Sequence, residues 1–244
     1  MLALLKKEIS SFLNSVIGYV VMSVFLLSIG LLMWVLPGTE FNLVENGAAN
    51  LDTLFILAPW VFMFLVPAVT MRMFSEEKKT GTIELLLTRP LSDLKIVFAK
   101  YLASLLLVIF SLLPTLVYFY SVSQLASPAG NIDAGSIWGS YAGLLLLGSG
   151  FAAIGIFASA VTESQVIAFI LSLTLCYVIY IGLDFAGTML PLDKAGSFIA
   201  GLGISRHYTS LSRGVIDTRD VVYFISLSAF FVLLSRFVLE RRKW

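Results

Sequence analysis

Phe74-Ser75-Glu76-Glu77-Lys78-Lys79-Thr80-Gly81-Thr82-Ile83-Glu84-Leu85-Leu86-Leu87-Thr88-Arg89-Pro90 is the stretch on which the fold turns. Long apolar runs flank it, Leu54 to Met71 before and Ile96 to Tyr120 after. Each suffices to cross a bilayer as helix, which takes about 20 residues. Lys78, Lys79, Arg89, Lys95 and Lys100 make the intervening segment basic, and the positive-inside rule places it in the cytoplasm. Gly81 can close the helix before it or open the next. Thr82 to Thr88 can form about two turns of helix with Ile83, Leu86 and Leu87 on one side. Arg89-Pro90 ends that helix, because proline disfavours helical backbone in the residue before it. Ser92-Asp93 then suits a new helix start, a hydroxyl cap followed by an acid in the first turn. A short helix between two spans on the cytoplasmic side is a docking piece for a soluble partner.

Working outward, the chain of 244 residues is 59% hydrophobic and 13% charged. A soluble domain carries about 25% charged residues, so this chain is spent on membrane spans. The net charge of +1 provides no field for nucleic acid. Cys176 is the single cysteine, which excludes an intramolecular disulfide. With His207 as the single histidine, a zinc cluster of the usual kind is excluded too.

Residues 2–15 carry Leu2, Leu5, Ile9, Phe12 and Leu13 at helical spacing, with Lys6, Lys7, Ser10, Ser11 and Asn14 opposite. That pattern predicts an amphipathic helix lying on the cytoplasmic membrane surface. The first span follows, and it is too long for a signal peptide and lacks a small-residue cleavage site, so it reads as retained. The spans fall at about 16–36, 54–73, 96–120, 138–161, 165–185 and 221–239 on the length rule. The loops around Glu40, Glu45 and Asp52, and around Asp133, lack lysine and arginine, and so lie outside. Pro59 and Pro67 in the second span and Pro114 in the third are tolerable where neighbours re-satisfy the freed carbonyls. Gly139, Gly143, Gly148, Gly150 and Gly155 in the fourth span allow close helix approach, used for packing within the subunit. Arg236, Arg241, Arg242 and Lys243 hold the C-terminus in the cytoplasm.

Between the fifth and sixth spans, residues 187–220 lie outside yet hold Lys194, Arg206, Arg213 and Arg219, against the charge rule. Their apolar spacing predicts helical pieces at the outer interface. The fold class is therefore an all-α polytopic membrane protein of six transmembrane helices. It adds an N-terminal interfacial helix, a cytoplasmic helix between spans 2 and 3, and outer helical segments between spans 5 and 6.

No Asp, Glu, Lys, Arg or His falls in the middle of a span, which argues against an ion-driven carrier. The phosphate-binding pattern G-x-x-x-x-G-K-[ST] is missing. Gly148-Ser149-Gly150 lacks the surroundings of a hydrolase nucleophile. The chain reads as no enzyme, and energy for any mechanical work must come from a partner.

The amphipathic start Lys6-Lys7-Glu8-Ile9-Ser10-Ser11-Phe12, the stretch Phe74 to Ser92, and Ser212 to Phe224 at the entry to the last span resemble one family. The sequence is similar over its whole length to the six-span permeases of the type-2 ABC transporter superfamily, nearest to their gliding-motility-associated branch. The resemblance implies that residues 1–244 form a single permease domain in a bacterial inner membrane. It implies a coupling helix seated on an ATP-binding subunit of the GldA type, an auxiliary membrane subunit of the GldG type, and a second permease copy or related subunit. ATP and magnesium would belong to the ATPase, with no cofactor in this chain. It assigns the coupling contact to Glu76, Glu77, Thr80, Gly81, Thr82, Ile83, Glu84, Leu86 and Leu87. The competing reading of Glu76, Glu77 and Glu84 is a solvated loop. Lys78 and Lys79 fix topology and touch anionic lipid. His207 either senses pH, touches cargo or fills a polar spot. A force-transmitting scaffold driven by the same ATPase, exporting nothing, shares every one of these motifs.

Overall fold

The computed structural model describes residues 1–47, 49–84, 92–189 and 194–241. Most of the helix expected over Thr82–Thr88 therefore lies outside the described residues, Leu86 and Leu87 included. Among the described residues there is no strand. Six helices among those residues are long and apolar enough to cross a membrane.

Helix α1 (Leu2–Leu13) is joined to α2 (Val16–Gly30) by a corner built on Ser15. The Ser15 hydroxyl donates to Phe12 O at 2.8 Å and accepts from Gly18 N at 3.1 Å, capping α2. Gly18 is needed there, since a Cβ would lie 2.5 Å from Phe12 O. The apolar stripe of α1 is divided: Leu2 is exposed, while Leu4 and Phe12 are buried against the bundle. The amphipathic helix expected over residues 2–15 is present as Leu2–Leu13, and part of its apolar side is seated on protein, chiefly on α6.

The first span continues from α2 as a π-helical turn, Leu31–Val35. A short helix, α3 (Leu43–Asn46), sits in the following loop, capped by Asn42, whose Oδ1 accepts from Val44 N and Glu45 N. The second span is α4 (Asp52–Thr70) prolonged by α5 (Arg72–Lys79). The third is α6 (Asp93–Leu112), a 3-10 turn at Leu113–Thr115 around Pro114, and α7 (Leu116–Leu125). The fourth is one helix, α8 (Ala134–Val161). The fifth joins α9 (Gln165–Tyr177) through a π-turn, Val178–Gly182, to α10 (Leu183–Met189). Two helices follow, α11 (Lys194–Gly201) and α12 (Ile204–Leu211), before the sixth span, α13 (Thr218–Glu240).

Helix α8 is the axis of the bundle. In its most apolar stretch 72% of residues are buried, against 22% in the first and fifth spans and 28% in the sixth. It touches α4, α5, α6, α9, α12 and α13. Its glycines permit this: a Cβ on Gly155 would collide with Thr70 Oγ1 and lie 2.9 Å from Thr70 Cβ. In lipid, helices gain little from apolar burial against each other, and close van der Waals approach through small residues replaces it.

Pro59 lies within α4. Lacking an N–H, it leaves the carbonyl four residues back, Phe55 O, without its helical donor. Tyr208 of α12 supplies one, with its hydroxyl 2.8 Å from Phe55 O and its ring 3% exposed. The helical pieces expected between the fifth and sixth spans are present, and this one is tied into the bundle through a proline's orphan. Tyr208→Phe is expected to destabilise the protein by about 1 kcal/mol. In a Pro59→Ala background, where the backbone N–H returns, the loss should vanish. Denaturant titration of the four proteins in micelles checks this, and an equal loss in both backgrounds would refute the pairing.

Candidate functional site

At the basic end of the bundle the second span runs past the first charges. Phe74 to Lys79 stay helical in α5 instead of breaking into a polar loop. The reason is that charged groups on other elements receive them. Glu77, expected at a solvated or partner-facing position, is 7% exposed. Its Oε1 accepts from Lys7 Nζ of α1 at 2.9 Å, and its Oε2 lies 2.9 Å from Lys100 Nζ of α6. Lys100 also reaches Glu8 Oε1 at 2.8 Å, donates to Met73 O at 2.6 Å, and stands 5.0 Å from the centre of the Phe74 ring. Lys7 is 3.8 Å from Glu8. Two cations and two anions thus tie α1, α5 and α6 together with no net charge. Burial by itself lowers the Lys7 pKa. The hydrogen bond that Lys7 donates to Glu77 and the nearby carboxylates of Glu77, Glu8 and Glu76 outweigh that and hold the ammonium above the ordinary lysine value.

Lys100, counted from the sequence with the basic segment between the second and third spans, lies inside the start of the third. It is fully buried about two turns into α6, which starts at Asp93. Lys78, expected at the membrane surface, is 7% exposed and donates to Ala160 O in the last turn of α8. Cations are favoured there, where carbonyls lack intrahelical partners. Lys79 is exposed as expected.

Gly81 ends α5, with φ +71. The closing amides are satisfied as at many helix ends: Thr80 N donates to Glu76 O at 3.0 Å and Gly81 N to Lys78 O at 3.2 Å. Thr80 Oγ1 donates back to Glu76 O at 2.9 Å and lies 2.9 Å from Thr82 Oγ1. Helical backbone resumes at Ile83 and Glu84. Glu76, Thr80, Gly81, Thr82 and Glu84 are exposed along this lip. Ile83, expected to face a partner, is 5% exposed and belongs to the chain's own core. The bend at Gly81 turns it back onto the bundle.

A family model described as ABC-2 family transporter protein matches residues 2–239. The chain belongs to the ABC-2 transporter family. No curated protein matches it. ABC-2 membership makes it a multi-pass membrane component of a transporter and implies an ATP-binding partner. In this ABC-2 chain a cavity of about 190 Å³ opens between α1 and α5, lined by Lys7, Glu8, Ser11, Arg72, Glu76 and Thr82 among others. Arg72 closes one side, its Nη2 3.1 Å from Ser15 Oγ and its guanidinium 5.2 Å from the Phe12 ring centre.

The opposite end of the ABC-2 bundle holds His207, 2.7 Å from Asp220 Oδ1 and 2.9 Å from Gly201 O, stacked on Tyr223 at 3.9 Å between ring centres. It joins α11, α12 and α13. Arg206 pairs with Asp184 at 3.0 Å. One of the basic residues between the fifth and sixth spans, Arg206, is thus matched by an acid. The sequence reading did not foresee the partners of Glu77, Lys100 and Lys78. The one available signal was the acid among lysines at Lys6-Lys7-Glu8, which an interfacial helix does not need.

Proposed function

We propose that this ABC-2 chain is the permease subunit of a gliding-motility-associated ABC complex, resembling GldF, with the segment after α5 as its coupling element. The observation that carries the proposal is the lip at Gly81. It exposes Glu76, Thr80, Thr82 and Glu84 at the end of a helix whose Arg72, Glu77 and Lys78 side chains are committed inside the chain. A partner seated on the lip would load α5 directly. The ATP-binding subunit, of the GldA type, would bring ATP and magnesium. An auxiliary GldG-like membrane subunit and a second permease copy would complete the complex. Both termini would face the cytoplasm of a bacterium, across its inner membrane.

On the sequence periodicity, Leu86 is the apolar anchor and Glu76 the rim charge. An anchor truncated to alanine costs about 2 kcal/mol, roughly thirtyfold in affinity, whereas an exposed ion pair is worth about 0–1 kcal/mol. The tagged chain, purified from native membranes, is expected to bring down an ATP-binding subunit. Leu86→Ala should weaken that recruitment far more than Glu76→Ala. Loss with Glu76→Ala and retention with Leu86→Ala would overturn the anchor. Failure of either change to matter would move the docking site elsewhere. Absence of an auxiliary membrane subunit among the co-purified chains would remove the gliding assignment. ATP hydrolysis with no solute moved into vesicles would favour a force-transmitting scaffold.

A further inference from the structure

The second span is interrupted at Met71, between α4 and α5, although Met71 itself keeps helical φ and ψ of −53° and −33°. A side chain from another helix sits in the break. Ser159 Oγ of α8 accepts from Phe74 N at 2.9 Å and from Ser75 N at 3.1 Å, and it donates to Met71 O at 2.9 Å. In an unbroken helix those two amides would face the carbonyls of Thr70 and Met71. Ser75 Oγ also donates to Met71 O. The hydroxyl of Ser159 is fully buried and makes three bonds to the backbone of a helix 84 to 88 residues away in sequence. Insertion of a side chain into the ladder is one of the few recognised causes of a helix break.

Two neighbours make this a fixed joint. One turn earlier on the same face of α8, Gly155 lets Thr70 sit against the helix. One residue later, Ala160 O accepts from Lys78. So α4 is held just before the break and α5 just after it, both by the last two turns of α8. The geometry points to Ser159 as a positioning residue that passes load from α5 into α8, the central span. The load would enter α8 directly at its basic end instead of travelling only along the second and third spans. The role in transport rests on the reading above, in which a partner loads α5. The mechanical joint does not.

The test uses the full chain in nanodiscs, with Cys176→Ala and spin labels at Lys79 and Val161, both exposed. The distance between the labels should be narrow in the parent protein and should shift or broaden in Ser159→Ala. Without the hydroxyl, α5 loses its tie to α8 at Phe74 and Ser75, and it shifts as those amides turn toward the carbonyls of Thr70 and Met71 or toward water. Ser159→Cys keeps the volume with a weaker hydrogen-bonding group and should fall between. A second label pair, at Ala134 and Val161 on α8, reports whether that helix is intact. An unchanged distance from Lys79 to Val161 in Ser159→Ala overturns the joint, whatever partner binds.

A second readout separates load transfer from simple support. In the complex purified with its own ATP-binding subunit, ATP should move a label at Ala134 relative to one at Thr218. In Ser159→Ala that movement should be lost while recruitment of the subunit is unchanged. Movement that persists in Ser159→Ala overturns the load-transfer role. If the parent chain brings down no such subunit, the proposed function fails, and the first label pair still decides the joint.

Discussion

Lys100→Met is expected to destabilise the bundle by about 3–5 kcal/mol, the usual cost of removing one partner from a buried ion pair. The lysine is fully buried, and it is the group that Glu8, Glu77 and the Met73 carbonyl share. Without it, two carboxylates face each other inside the protein with only the half-exposed Lys7 between them. Helix α1 should be the first element to leave, because Lys7 and Glu8 are its charged ties to the bundle. Charge balance, rather than the lysine as such, sets the loss. The triple variant Lys100→Met, Glu8→Gln, Glu77→Gln should therefore recover most of the stability, since neutral groups replace buried ion networks at little cost. Denaturant unfolding in micelles gives the energies, and protease clipping within residues 2–13 reports the release of α1. A Lys100→Met protein as stable as the parent, or a triple variant no better than the single one, would sink the account.

That network marks where sequence reading stops. The six spans were readable because a run of about 20 apolar residues has few fates other than a membrane. The glycines of α8 announced close packing within the chain, and the packing against Thr70, Val108 and Leu211 is of that kind. Glu77 and Lys100 were not readable. They lie 23 positions apart in the numbering and meet a third element, α1, 70 to 92 residues earlier in the chain. In a one-dimensional pattern each is simply a charge near a span end, and the charge rule assigns such residues to water or lipid headgroups. Ser159 was hidden for a related reason. A serine in a membrane helix most often returns its hydroxyl to its own backbone, as Ser111 and Ser235 do here. Nothing local shows that this one reaches into another helix. The coupling residues divide the same way. Gly81 could be foreseen as a helix end, whereas the inward turn of Ile83 depends on the bend that Gly81 makes.

Gly214→Ala is expected to be the most damaging single-methyl change in the described chain, at about 2–5 kcal/mol. Two costs combine at this position. Gly214 has φ +79, a left-handed conformation that costs an L-residue about 1–2 kcal/mol. Its added Cβ would also fall on the backbone of Ser136, on both the Cα and the carbonyl oxygen. Backbone cannot rotate aside, and overpacking of this kind costs about 1–3 kcal/mol more. The site matters because the turn before α13 is docked on the start of α8. Ser136 Oγ donates to Arg213 O at 2.9 Å and Ser140 Oγ to Ser212 O at 3.0 Å, while Gly139 faces Gly214 itself. Two controls separate the costs. Gly81→Ala has a similar φ of +71 with nothing within 4 Å, so only the conformational cost of about 1–2 kcal/mol should appear. Gly150→Ala has a helical backbone and meets only Leu227 Cδ2, at 3.2 Å, with Phe224 Cδ1 at 3.6 Å. That leucine can turn away, and alanine gains about 1 kcal/mol of helix propensity over glycine, so the change should be neutral or slightly stabilising. Thermal melting of the three variants in one detergent ranks them. If Gly214→Ala melts with Gly81→Ala, the methyl meets no resistance at Ser136, and the packing half of the expected loss is refuted.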